Sequence, residues 1–356
     1  MQLAKLLTDQ QGEKMEINID ISDIAKVQGR TIIDYGDRGD GKSTRASSFA
    51  RYYFKRSGGK KVRLVATEDS SKAVFQDLID AGIVEPIFMT DSKNPLVTLE
   101  RIMEGEWPLI GQFEEKEVIK KVNGIDTKSI QKVQKWQPLS EWEGSVSAYI
   151  VEGLTTACEI IQEYLTSTNR FPREQSDGFQ IGNRTYMASS QTAYGFTQGE
   201  GIKLVRNAGM LPVERVLWTA HEAKGKDEFG GGGAVRGPKL VGSAATDVVR
   251  KYCGVLLHTD RITTGKSQEL RTYVQSHPDA TNPSVNWKAK VTMPPTVAAE
   301  FNKLYPDGYF KPTLPEPGNY DGDDGLIPFL KNEARLLAQS SNAAKQFALS
   351  ISNKKD

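Results

Sequence analysis

The chain reads as an α/β fold built on a mostly parallel central sheet flanked by helices. Three observations predict this. Apolar runs of strand length alternate with helical patterns along most of the chain, and that alternation lays strands side by side through helical crossovers. Between the first such run, Thr31-Ile32-Ile33-Asp34-Tyr35, and a helical stretch over Ser43 to Phe54 lies Gly36-Asp37-Arg38-Gly39-Asp40-Gly41-Lys42-Ser43-Thr44. That segment fits the phosphate-loop pattern G-x-x-x-x-G-K-[ST] at every fixed position. Finally, 356 residues at 38% hydrophobic and 26% charged suit one large domain with an appendage, or two modest domains, in an ordinary globular protein.

The elements follow in order. Residues 1–30 form a polar N-terminal segment in which the alternation of Ile17, Ile19 and Ile21 predicts an edge strand or hairpin. The core domain spans 31–293. After the first strand, loop and helix, Gly58-Gly59-Lys60-Lys61 is a turn, and Val62 to Thr67 is a second strand ending at Glu68-Asp69. Such a strand can lie beside the first. Ser70-Ser71 can cap a helix over Lys72 to Ala81, stopped by Gly82. Ile87-Phe88-Met89 is a short strand, and Asn94-Pro95 opens a helix through Met103. About 105–145 reads as an insertion, a charged hairpin turning at Asn123-Gly124 and anchored on the core by Trp107, Trp136 and Trp142.

The core resumes with the strand Val146 to Glu152, a helix from Leu154 to about Leu165, a polar stretch over 168–184 and a helix from Thr185 to Ala208. Val216 to His221 is the next strand, followed by the flexible Gly230-Gly231-Gly232-Gly233, a helix from Ser243 to Lys251 and a strand over Gly254 to Thr259. Arg271 to Ser276 and Asn286 to Val291 read as a closing pair. Residues 294–356 read as an extended tail with an acidic run at Asp321 to Asp324 and a final amphipathic helix, about Pro328 to Ala348.

The loop carries the chemistry. Its glycines allow the backbone to curl so that N–H groups face inward on a phosphate, with the positive end of the following helix behind them. Lys42 supplies charge to the β/γ-phosphates, and the Ser43 hydroxyl reaches Mg²⁺. The expected cofactors are therefore ATP and Mg²⁺; no guanine-reading N/T-K-x-D element stands in the right place. Hydrolysis also needs an acid on the metal and a group to activate water. Glu152, after Tyr149-Ile150-Val151, has the form of a metal-holding Walker B acid, although Asp is commoner there. The next residue is Gly153, so the base must come from elsewhere. Glu68 supplies it, with Asp69 as second choice, and His221 at its strand end can contact the γ-phosphate and the loop beyond.

Composition excludes several classes. A net charge of +1 leaves no global basic field, so any nucleic-acid site is a local patch. Cys158 and Cys253 read as buried hydrophobes in a reducing compartment, the cytoplasm. The three histidines and two cysteines are too scattered for zinc. Met1-Gln2-Leu3-Ala4-Lys5 lacks a signal-peptide pattern, and no apolar run is long enough to cross a bilayer.

Taken in order, the phosphate loop, Glu68, the Walker B strand, Leu217-Trp218-Thr219-Ala220-His221 and a glycine-rich loop leading into helix and strand resemble the RecA-like ATPases. Thr219-Ala220-His221-Glu222, with Tyr194-Gly195 and Leu211-Pro212, is more narrowly similar to phage-encoded members, over about residues 30–275. The resemblance implies that Glu68 is the catalytic glutamate, Glu152 the Walker B acid and His221 the polar sensor. It sets the loop from Glu222 to Gly242, with Lys224, Lys226, Arg236 and Lys239, at a second DNA-binding loop. The stretch 168–184, with Arg170, Phe171, Arg173, Phe179 and Arg184, takes the place of a first. It further implies a homo-oligomer, filament or ring, with sites between subunits and a neighbour's basic group (Lys224, Lys226, Arg236 or Arg250) on the transition state. The function expected is Mg²⁺-dependent ATP hydrolysis on single-stranded DNA in phage recombination or replication, in the host cytoplasm. The alternatives are a ring motor, helicase or packaging ATPase, and a weakly hydrolysing nucleotide-binding scaffold.

Overall fold

The structure, a computed structural model, describes residues 3–8, 14–19, 31–92, 94–122, 125–167, 178–181, 184–187, 191–224, 236–241, 243–264, 267–274, 290–313 and 320–352. In chain order, β1 (Leu3–Thr8) and β2 (Lys14–Ile19) pair as a separate antiparallel ribbon. The core then runs β3 (Thr31–Gly36), α1 (Lys42–Arg56), β4 (Lys61–Ala66), α2 (Ser71–Asp80), β5 (Val84–Phe88) and α3 (Pro95–Met103). A long hairpin, β6 (Trp107–Val122) and β7 (Ile125–Gln137), interrupts it. It continues with β8 (Val146–Glu152), α4 (Leu154–Ser167), the small hairpin β9 (Gly178–Ile181) and β10 (Arg184–Met187), α5 (Gln191–Ala208), β11 (Arg215–Lys224), β12 (Arg236–Pro238) and α6 (Ser243–Val249). The last elements are β13 (Val255–Thr264), β14 (Ser267–Tyr273), β15 (Lys290–Val291), α7 (Pro295–Leu304), β16 (Tyr309–Phe310) and α8 (Ile327–Ser352).

The expected α/β architecture is present. The central sheet has the order β5-β4-β8-β11-β3-β13-β14-β16, with β5 through β13 all parallel and β14 and β16 antiparallel at one end. The parallel strands are apolar along their length because both faces are covered. Ile33, Val65, Val151 and Trp218 face α4 and α5, while Ile32, Leu64, Ile150 and Leu217 face α1 and α8. Register brings the carboxyl ends together: Gly36 lies opposite His221 on one side and Thr259 on the other, and Ala66 lies opposite Glu152.

Four expectations are corrected. β4 is not beside β3; β11 and β8 lie between them. β14 and β15 do not pair with each other, because β13 is long enough to take both, β15 at its first residues and β14 at its far half. Residues 184–187 are strand, and the helix begins at Gln191. The segment after Pro294 is not extended: Pro295 stands at the helix start, where its missing N–H costs nothing, and opens α7. α7 and α8 then cover the sheet face shared with α1, with Phe301 and Phe329 in the same core as Phe49. Buried ion pairs Arg51–Asp324 and Arg215–Glu333 fasten this layer.

The β6–β7 hairpin is rooted by Arg63. Its guanidinium lies 4.3 Å from the Trp107 ring and 4.5 Å from Trp142, and donates to Tyr149 Oη and Gln137 Oε1, each at 2.9 Å. Trp136 lies against Arg101, 3.9 Å away. All three tryptophans thus grip the hairpin's base, while Phe113, Ile119 and Ile130 on its outer part are exposed.

Candidate active site

The loop between β3 and α1 is shaped by two glycines with different jobs. A Cβ on Gly36 would stand 2.5 Å from the Thr259 carbonyl oxygen, so only glycine lets β3 approach β13 this closely. Gly41 adopts φ 72°, the left-handed turn that starts α1. No side chain caps the first turn of α1 and it holds no acid, which leaves the positive helix end open to an anion. Lys42 folds back over the loop, its Nζ donating to the carbonyls of Gly36 (3.1 Å) and Asp37 (2.7 Å). Burial holds its ammonium below the usual lysine range. Asp37, Arg38 and Gly39 are exposed at the outer turn, and Thr44 lies in the first turn of α1 beside Ser43.

Beneath the loop lies a buried ion pair that sequence reading did not single out. Arg45 Nε and Nη2 meet the two Asp34 carboxylate oxygens at 2.7 and 2.9 Å, and Arg45 Nη1 donates to the Asp40 carbonyl. The signal was present in the acid at position 34 inside an otherwise apolar strand. Asp34→Ala would strand the Arg45 charge, and breaking a buried pair in this way costs about 3–5 kcal/mol. A urea unfolding curve should show a loss of that size; an unchanged midpoint would show the pair to be dispensable.

Ser43 and Glu152 are brought into contact: the hydroxyl donates to Glu152 Oε1. The other oxygen, Oε2, is buried without a hydrogen-bond partner among the described residues. Burial pushes this carboxyl above the usual range, with the Ser43 and Ser71 hydroxyls opposing the shift. A hydroxyl beside a carboxylate with a spare oxygen is what Mg²⁺ takes from protein when water and phosphate oxygens complete its octahedron. The residues present therefore fit Mg²⁺.

Glu68 stands past the end of β4, and the chain there reaches over the carboxyl edge of the sheet. Thr67 Oγ1 donates to the carbonyls of Glu152 (2.8 Å) and Gly153 (2.9 Å), tying this turn to the end of β8. The Glu68 carboxylate accepts from Thr156 Oγ1 at 2.9 Å and lies 3.4 Å from His221 Nε2. Glu68 thus faces His221 across β8, not from the strand next to the loop. Asp69 turns away, accepting from Thr90 at 2.9 Å. Burial, then the nearby Lys42 charge, lowers the His221 pKa, so its imidazole is neutral at neutral pH. Thr155, at the start of α4, accepts the His221 N–H (3.0 Å) and donates to the Lys239 carbonyl (2.8 Å). It links the site to the base of the β11–β12 hairpin.

The basic candidates are less gathered. Lys224 and Arg236 are paired positions on that hairpin. Lys239 is exposed and 3.8 Å from Glu159. Arg250 packs against Gly237 of its own chain. Phe179 and Arg184 lie on β9 and β10. Lys226, Arg170, Phe171, Arg173 and the four-glycine run lie outside the described residues.

No family model and no curated protein matches the chain. Among solved structures it is similar to a KaiC-like protein of the hyperthermophilic archaeon Pyrococcus horikoshii, at 10% identity, covering 69% of this chain and 79% of that one with a TM-score of 0.38. No described helix is long and apolar enough to cross a membrane.

Proposed function

We propose that this chain is a RecA-like P-loop ATPase that hydrolyses Mg²⁺-ATP and acts on single-stranded DNA as a homo-oligomer. One observation carries the reading: the phosphate loop, the Ser43–Glu152 contact and the Glu68–His221 pair all meet on one edge of one sheet. The loop and the α1 N-terminus hold the phosphates, and Lys42 exchanges its bonds to the Gly36 and Asp37 carbonyls for phosphate oxygens. Ser43 and Glu152 would hold Mg²⁺, which neutralises phosphate charge when bound. Glu68 orients a water and takes its proton, while Thr156 keeps the carboxylate aimed. His221 senses the terminal phosphate and passes its state through Thr155 to the β11–β12 hairpin.

The DNA and recombination parts rest on the resemblance of the Thr219 to Glu222 segment and on this Thr155 link. They are tested by ATP turnover with and without single-stranded DNA, and by DNA affinity in low salt with and without a non-hydrolysable ATP analogue. Coupling of about 1.4 kcal/mol, a tenfold change in affinity, is the expected scale. Equal affinities in both nucleotide states would remove DNA from the reading. Processive strand displacement by a closed hexamer would replace it with a ring motor.

A further inference from the structure

The loop that is to hold a triphosphate carries a buried acid of its own. Asp40 is 3% exposed. Its Oδ2 has no hydrogen-bond partner among the described residues, and its Oδ1 lies 3.6 Å from Nη2 of Arg261. Arg261 comes from the far half of β13, beyond the Thr259–Gly36 register point, where the strand overhangs the loop. The same Nη2 donates to the Gly39 carbonyl at 2.7 Å. Arg45 holds the next carbonyl, that of Asp40, from below. Because a trans peptide points its C=O and N–H in opposite directions, these two arginines set the direction of the Asp40 and Gly41 N–H groups.

We propose that Arg261 is a positioning residue for nucleotide binding: it cancels the Asp40 charge and locks the outer turn of the phosphate loop, so that phosphates enter a loop already shaped and not repelled by its own carboxylate. This rests on the ATP-binding reading above. The argument is electrostatic. A triphosphate brings several negative charges against a desolvated carboxylate, and like charges at this depth are weakly screened. Lys42 is committed to the phosphates, and Arg45 is already paired with Asp34. A backbone hydrogen bond from Asp37 and the Lys42 charge also favour the Asp40 carboxylate, but of the described cationic groups facing it, namely Lys42, Arg45 and Arg261, Arg261 is the one not otherwise committed once phosphate binds. Burial also pushes the Asp40 carboxyl above its usual range, so proton uptake there is the fallback when Arg261 is lost.

The test is equilibrium binding of ATP analogue to the full chain, comparing wild type with Arg261→Ala, Arg261→Lys, Asp40→Asn and the double variant Arg261→Ala/Asp40→Asn. Arg261→Ala should weaken binding about tenfold, the worth of one charge-assisted contact. Arg261→Lys should recover part of it. In the Arg261→Ala background, Asp40→Asn should restore most of the loss. Acidification should also shrink the Arg261→Ala deficit, since a protonated Asp40 no longer needs a partner. An undiminished Arg261→Ala affinity, or a deficit that neither Asp40→Asn nor acid relieves, overturns the inference; the latter would make Arg261 a direct nucleotide contact. Should Arg261→Ala not fold, Arg261→Gln is measured alone and together with Asp40→Asn, and a deficit that Asp40→Asn does not shrink rejects the inference. Failure of wild type itself to bind sinks the ATP reading instead.

Discussion

Lys42→Ala is expected to lower ATP affinity by roughly 30- to 100-fold, about 2–3 kcal/mol, because it removes the ammonium folded over the phosphate loop. The fold should survive. Alanine is the best helix former, and Lys42 is only partly buried, bonded to the exposed Asp37 carbonyl as well as to that of Gly36. Isothermal titration with ATP, alongside a thermal melt, separates the two effects. Wild-type affinity in a well-folded Lys42→Ala variant would mean that the loop is not where the phosphates bind, and the proposed site would fall with it.

Glu68→Gln is expected to lower kcat by about 10²–10⁴-fold, the range for losing a positioned general base, while KM stays within a few-fold. The amide keeps the shape and can still accept from Thr156 Oγ1. It cannot take a proton from water. Single-turnover phosphate release measures the chemical step apart from product release. Turnover unaffected by this change would remove Glu68 from the chemistry and favour the scaffold reading, in which nucleotide is bound but barely hydrolysed. The neighbouring His221 sharpens the contrast: its neutral imidazole does not supply the missing charge.

The legible parts of this protein are those whose chemistry is local. Gly36 to Thr44 announced a phosphate loop because turn geometry, helix start and point charge all come from nine consecutive residues. The strand runs Thr31 to Gly36 and Val146 to Glu152 were legible because strands buried on both faces are continuously apolar. The three tryptophans around the inserted hairpin marked its root, since large rings need a buried seat. What could not be read was pairing. Asp34–Arg45 joins a strand to a helix eleven residues on, and an acid in a strand does not name its partner. The Arg261 contact spans 222 residues. The misjudged tail has the same cause: the prolines at 294 and 295 look alike as breakers in an extended segment and at a helix start, and only packing against α1 distinguishes them.

On its own, then, the amino-acid sequence determined the α/β alternation and a glycine-rich turn of phosphate-loop pattern with a lysine and a hydroxyl in place, since both follow from short-range backbone preference and side-chain chemistry. Tertiary structure alone decided the route by which the two acids reach one edge. The strand order β4-β8-β11-β3 carries Glu68 and Glu152 to one edge although neither strand touches β3. It also decided that β13 overhangs the loop with Arg261. The physical reason is that sheet order and register are settled by the burial of both faces at once, a property of all the strands together that no single segment encodes.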